Sequence, residues 1–309
     1  MNSKLSLNIT NEVSQLSKVI VGQANNFKKP NISDLYDPTS IVHLKNNTYP
    51  KKKDLIKELN FYKNALRENN VEVIELDSVK DCNQIFARDI GFVIDDFFFI
   101  SNILPHRKNE IKGLESIINM IDKEKIIRLK EDIHVEGGDI IVGKDKLYIG
   151  YYDEADYEQQ ITARTNFNAI IFFKNFFPKK DIVPLKLKKS WIDPEKNALH
   201  LDCCFQPVGN KYAVICKDGF YNFSDYNLLV KEYGVDNVLN ITSKEMSEMF
   251  CNFFSISEKI VISDFKFKKL NSWLEERKIK VVKVKLNEVG KQGGLFRCST
   301  LPLIRLRWY

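Results

Sequence analysis

The stretch "GFVIDDFFFI", Gly91 to Ile100, sets two apolar runs on either side of an Asp95-Asp96 pair. Short runs rich in β-branched and aromatic residues, broken by two turn-forming residues, predict a β-hairpin rather than a helix. The same arrangement recurs. "DIIVGKDKLYIG" (Asp139 to Gly150) turns at Gly143 to Asp145, and "LHLDCCFQPVGNKYAVIC" (Leu199 to Cys216) turns at Gly209-Asn210. "FFSISEKIVIS" (Phe253 to Ser263) turns near Ser257-Glu258, and "TLPLIRLRWY" (Thr300 to Tyr309) supplies a final strand. Phe92, Ile140, Leu201, Phe253 and Leu301 mark these repeats at near-even spacing.

Between the hairpins lie segments of helical period, such as "RKNEIKGLESIINMI" (Arg107 to Ile121) and "FKKLNSWLEERK" (Phe267 to Lys278). Each is followed by a short strand, "KIIRL" or "KVVKVKL", so the unit reads strand, strand, helix, strand. The N-terminal "KVIVG" (Lys18 to Gly22) has no hairpin partner, and neither has the strand after Cys298. Pairing the two would close a ring of five units. No Pro, Gly or Ser-rich linker divides the chain, so residues 1–309 are expected to form a single catalytic domain. An open α/β sheet is the alternative that regular βαβ alternation would favour, and the hairpins argue against it.

The composition, 44% hydrophobic with 12% aromatic residues, supports a packed core. No apolar run is long enough to span a bilayer, and "MNSKLSLNITNEVSQL" is too polar for a signal peptide. The expectation is a cytoplasmic protein without a membrane partner. Its cysteines, Cys82, Cys203, Cys204, Cys216, Cys251 and Cys298, show no CxxC spacing, which suits reduced thiols rather than disulfides or structural zinc. The net charge of +6 resides largely in lysine runs, Lys51 to Lys53 and the "LKLKKS" stretch ending at Ser190, read as solvated faces. Without interleaved base-stacking aromatics they do not argue for nucleic acid.

Four segments concentrate polar residues inside these apolar strands: "NQIFARD" (Asn83 to Asp89), "HVEGGD" (His134 to Asp139), "HLD" (His200 to Asp202) and "GGLFRCSTLPLIR" (Gly293 to Arg305). Each falls at the start of a repeated hairpin, so a ring would gather all four at one end of its channel. Singly, each has a plainer reading: a core histidine, a turn carboxylate, a bulge glycine pair, a small buried thiol.

Together with "ART" (Ala163 to Thr165), their order resembles the guanidine-modifying (pentein) superfamily, which includes arginine deiminases, dimethylarginine dimethylaminohydrolases, agmatine deiminases and amidinotransferases. The resemblance implies an α/β fold, a five-bladed α/β propeller of ββαβ repeats with pseudo-fivefold symmetry. It also implies roles. Cys298 matches the nucleophile, His200 the general acid and base, and Glu136 the carboxylate that orients and charges that histidine. Asp89 and Asp202 match the pair that grips the guanidinium nitrogens, with Arg297 aiding the thiolate and Gly137-Gly138 allowing close backbone approach. Asn83, Arg107 and Arg164 match residues that hold the amino-acid end of the substrate. Asp139, Cys203 and Cys204 are assigned to structure. No cofactor and no metal is implied.

The implied chemistry fits the residue types. A guanidinium carbon is a poor electrophile, and it demands a soft nucleophile, anions to orient the cation and a proton donor for the leaving amine. The expected activity is a cysteine-dependent hydrolase of deiminase type, acting on the guanidino or ureido group of an arginine-like small molecule through a Cys298 amidino-thioether. The alternative is an amidinotransferase with an amine acceptor, and self-association into a homo-oligomer is left open. One departure stands out: arginine deiminases carry an arginine five residues before the cysteine where this chain has Gly293. "GLFRCS" is closer to the dimethylarginine hydrolases there. Two other classes compete. A zinc deaminase would use the HxE spacing of His134 and Glu136 but also needs a PCxxC that the sequence lacks. A catalytically silent propeller binding a cationic metabolite or partner protein would have no need of the thiol.

Overall fold

The computed structural model describes residues 4–306. β1 (Leu16–Val21) and β2 (Glu72–Glu75) flank the long helix Lys52–Glu68 and pair in parallel. β3 (Gly91–Ile94) and β4 (Phe97–Ile100) form the hairpin read from the sequence, and β5 (Ile126–Arg128) returns parallel to β4. The same order repeats in β6 (Ile140–Val142), β7 (Lys146–Tyr151) and β8 (Asp181–Lys186), and again in β9 (Phe205–Val208), β10 (Tyr212–Ile215) and β11 (Val238–Asn240). It recurs in β12 (Phe254–Ser257), β13 (Ile260–Asp264) and β14 (Lys280–Val284). Finally, β15 (Thr300–Arg305) pairs antiparallel with β1, so one sheet is made from both ends of the chain. Among the described residues the result is a mixed α/β fold of five three-stranded sheets. In each, the central strand has one antiparallel and one parallel neighbour.

Local chemistry explains these elements. Asp95, at φ 54°, and Gly209, at φ 60°, take the left-handed conformation that tight hairpin turns require. Helix Lys52–Glu68 buries Leu55, Leu59, Tyr62 and Leu66 along one face, the spacing of an amphipathic helix. Its Tyr62 hydroxyl donates to the Phe296 carbonyl at 3.1 Å and so ties the helix to the segment carrying Cys298. Phe99 stacks on Phe92 with centroids 5.2 Å apart and meets Phe173 edge-on at 5.3 Å, locking the β3–β4 hairpin to helix Phe167–Phe176.

Some expectations need correction. The segment Arg107 to Ile121 is not one α-helix: Pro105–Leu114 is a 3₁₀ helix and only Glu115–Met120 is α-helical. Arg107 and Glu110 pair through two hydrogen bonds, each 2.8 Å, across the three-residue step that a 3₁₀ turn eclipses. Lys51 to Lys53 are exposed as expected, but Lys189 donates to the carbonyls of Ala198 and Leu199 at 2.9 and 2.8 Å. It braces the chain just before His200 instead of facing solvent. The end of the final strand as read from sequence, Arg307 to Tyr309, lies outside the described residues. No helix among the described residues is long and apolar enough to cross a membrane.

The polar motifs lie in the turns that precede each first strand and not within the strands. Ala87–Ile90 is a single α-helical turn leading into β3, and Gly137–Asp139 and Leu201–Cys203 are 3₁₀ turns ahead of β6 and β9. Turns free the side chains from the alternation of a strand, so consecutive residues can converge on one point.

Candidate active site

At the centre of the gathered turns, His200 Nε2 lies 2.8 Å from Oε2 of Glu136, and both residues are buried. Arg164 Nη1 donates to the same Glu136 oxygen at 2.9 Å, with Arg107 Nη1 at 3.6 Å. Burial by itself would push the Glu136 carboxyl up; Arg164, His200 and Arg107 reverse this and hold it well below the usual carboxylate range. His200 moves the other way. Burial works against its imidazolium, yet Asp89, Glu136 and Asp139 together raise it above its ordinary value. A histidine so held favours its protonated form more than a free imidazole does, and that form can give a proton up.

The backbone makes room for this pair. A Cβ on Gly138 would stand 2.7 Å from both Cγ and Nδ1 of His200, and one on Gly137 would stand 2.2 Å from the Arg88 carbonyl oxygen. Only glycine lets the two turns meet this closely. Asp139 supports them from behind: Oδ1 accepts from the Leu201 backbone N–H at 2.8 Å and Oδ2 from the Thr165 hydroxyl at 2.7 Å. This fits its assignment to structure.

Asp89 Oδ1 sits 3.9 Å from His200 Nδ1, while Asp89 Oδ2 accepts from Arg107 at 2.9 Å. Burial raises the Asp89 carboxyl in spite of His200 and Arg107. On the thiol side, Cys298 Sγ donates toward Asp202 Oδ2 at 3.6 Å, and Asp202 Oδ2 accepts from Arg297 Nη1 at 2.9 Å. Burial first, then the Asp202 carboxylate, push the Cys298 thiol well above its usual range. Arg297 was expected to aid the thiolate, but its other contacts are Glu12 Oε1 at 3.0 Å and the Ile140 carbonyl at 2.8 Å. It anchors Asp202.

The remaining expected residues take different places. Asn83 Nδ2 donates to Gln292 Oε1 at 2.9 Å, which also accepts from the Tyr49 hydroxyl at 3.4 Å. Arg107 and Arg164 pair with Asp89 and Glu136 and also pack on the Tyr36 ring, at 4.8 and 5.3 Å from its centroid. Tyr36 was not foreseen. His134 does not join Glu136 as a zinc reading of HxE requires: its Nδ1 lies 3.1 Å from Asp156 Oδ1 and its ring 4.5 Å from Tyr157. Asp89, Glu136 and His200 do bring three ligand-type atoms within 4.8 Å of one another. The cations the fold supplies there are Arg107 and Arg164, which already neutralise both carboxylates.

A second unforeseen residue is Asn252. Asn252 Nδ2 donates to Cys298 Sγ at 3.1 Å, from a fully buried position. It stands two residues ahead of β12, just as Asp89 does ahead of β3 and Cys298 ahead of β15. That shared register was the available signal.

The sequence model of a family described as N,N dimethylarginine dimethylhydrolase, eukaryotic, matches residues 39–305. The chain belongs to that family. With it the chain falls in the guanidine-modifying superfamily, whose members act on amidino groups. Among the relatives of this dimethylarginine dimethylhydrolase-family chain is YkgA of Bacillus subtilis (strain 168), an uncharacterized protein 33% identical over 246 residues, covering 78% of this chain and 77% of that one. Solved structures share its fold. The N-terminal domain of ArgZ, an arginine dihydrolase from the ornithine-ammonia cycle in cyanobacteria, superposes with TM-score 0.77 at 17% identity, covering 94% of this chain and 98% of that one. SxtG, an amidinotransferase from Microseira wollei, gives 0.75 at 16% identity and 97% coverage of both.

Proposed function

We propose that this protein is a cysteine-dependent hydrolase that removes an amine or ammonia from the guanidino group of an arginine-like amino acid. The observation that carries the reading is the convergence, in one buried cluster, of a thiol beside a carboxylate and a carboxylate-charged histidine. In this reading Asp202 and Asp89 clamp the guanidinium, and the bound cation offsets the two anions that disfavour ionised Cys298. As the cation enters, the Cys298 thiol gives up its proton to solvent and Sγ adds to the guanidinium carbon. The bond to the leaving nitrogen breaks as His200 delivers its proton. Water, deprotonated by His200, then adds to the amidino carbon, and the C–S bond breaks to release a ureido product and the thiolate. Glu136 keeps His200 oriented through the cycle and favours its protonated form in the free enzyme.

Asn83, Arg107 and Arg164 are assigned to the amino-acid end of the substrate. A substrate carboxylate would draw on the two guanidiniums that in the free protein face Asp89 and Glu136. The family match puts N-methylated arginines first among candidate substrates, with arginine beside them. The five sheets are taken as the blades of one propeller comprising a single domain, with the β15–β1 pair closing the ring, and a cytoplasmic location would keep the six free thiols reduced.

The test is mass-spectrometric product analysis with methylarginines, arginine, agmatine and citrulline, with and without an acceptor amine. A ureido product formed without acceptor supports hydrolysis. Product formed only with acceptor present replaces this reading by amidino transfer, and no turnover of any guanidino compound contradicts both.

A further inference from the structure

We propose that Asn252 is a catalytic residue: its side-chain amide donates the hydrogen bond that holds Cys298 Sγ as a nucleophile, while its carbonyl oxygen fixes the turn that carries the cysteine. The inference rests on the assignment of Cys298 as nucleophile, and it adds a residue outside the recognised motifs.

The orientation of the amide follows from its partners. Asn252 Oδ1 accepts from the backbone N–H groups of Leu295, at 3.0 Å, and Cys298, at 3.1 Å. Two donors on one side identify that atom as the oxygen, so the amide nitrogen is the atom 3.1 Å from Sγ. The Asn252 main-chain carbonyl in turn accepts from the Arg297 backbone N–H at 3.3 Å. One residue therefore holds three backbone N–H groups between Leu295 and Cys298 and presents an N–H to the sulfur.

The groups around Sγ make that N–H consequential. Asp202 lies 3.6 Å away with its own charge shared with Arg297, Cys203 adjoins Asp202 and contributes no compensating charge, and Asp89 adds a second carboxylate from the neighbouring turn. Burial and both carboxylates thus oppose the thiolate. Asn252 is the one hydrogen-bond donor to Sγ among the described residues, and its preference is for the ionised form, since a thiolate accepts far more strongly than a thiol. A neutral donor suits this position, because a lysine or arginine there would repel the guanidinium substrate.

Asn252→Asp keeps an acceptor for the Leu295 and Cys298 N–H groups but removes the N–H from sulfur, and Asn252→Ala removes both functions. The experiment measures the pH dependence of Cys298 alkylation by iodoacetamide, followed by peptide mass mapping, together with thermal melting. It uses no substrate, so its outcome is independent of which reaction the enzyme performs. The expected result is an alkylation midpoint at least one pH unit higher in both variants, about a tenfold smaller thiolate fraction at a fixed lower pH, with Asn252→Asp still folded. Midpoints unchanged from wild type would overturn the proposal. So would failure of both variants to fold, which would make Asn252 a structural residue alone.

Discussion

Glu136 and His200 share a 2.8 Å contact inside the protein, and their partners shift the two groups in opposite directions. The consequence is a pH dependence with two ends. The lowered Glu136 carboxyl contributes stability above its ordinary value of 4.5, which is lost as pH falls below it. The raised His200 contributes stability below its ordinary 6.5, which is lost as pH climbs through its higher folded value. Glu136→Gln should flatten the acid-side loss and cost about 3 kcal/mol near neutrality, since it leaves Arg164 less well compensated. Melting temperature against pH for both proteins checks this, and superimposable profiles would contradict it.

Asp89 and Asp202 separate cation recognition from structure. Replacing either by Asn should lower kcat/KM for a guanidino substrate by roughly a hundredfold, with a smaller loss for a neutral ureido analogue. Each buried arginine keeps a second anion, Arg297 its contact with Glu12 and Arg107 its pair with Glu110, so neither change should unfold the protein, but Asp202 also lies in the turn that follows His200. Asp89→Asn is the cleaner test, and equal losses on both substrates with a large drop in Tm would return it to a structural role.

Gly138→Ala places a Cβ into the space of the His200 ring. We expect a loss of about a hundredfold in kcat, because the imidazole must move by a substantial fraction of an ångström, with Cys298 alkylation unaffected. Wild-type kcat would mean that the ring's position is not critical.

Cys203→Ala and Cys204→Ala should cost about 1 kcal/mol of stability each and spare turnover. Both thiols are buried and raised well above the usual range, and Cys204 packs against Gly219. Cys298→Ala should instead abolish turnover with the fold intact. Thermal melting alongside kcat distinguishes the two patterns.

The hairpins were legible because their turns carry a local signature, Asp95-Asp96 or Gly209-Asn210, and the pairing of β1 with β15 followed from two strands that otherwise lacked partners. Cys298, His200, Glu136, Asp89 and Asp202 were singled out from motif order, and the structure sets His200 beside Glu136 and Asp89 and Cys298 beside Asp202. Less visible was anything fixed by tertiary contact alone. His200 and Asp202 were read as part of a strand, but the 3₁₀ turn after His200 removes the strand alternation. That Arg107 meets Asp89 and Arg164 meets Glu136 was not legible, because nothing in a linear sequence tells which anion a buried arginine will meet. Tyr36, in an irregular segment, and Asn252, a common residue just ahead of an ordinary hairpin, carry no charge or motif to announce them.

The most direct measurement is labelling with 2-chloroacetamidine, a small amidinium electrophile that mimics the substrate cation, followed by peptide mapping and residual activity. Cys298 as the nucleophile predicts one adduct per chain, on that thiol, formed in step with loss of activity and slowed by a guanidino substrate. Labelling spread over the other five cysteines, or full activity in protein carrying the Cys298 adduct, would contradict it.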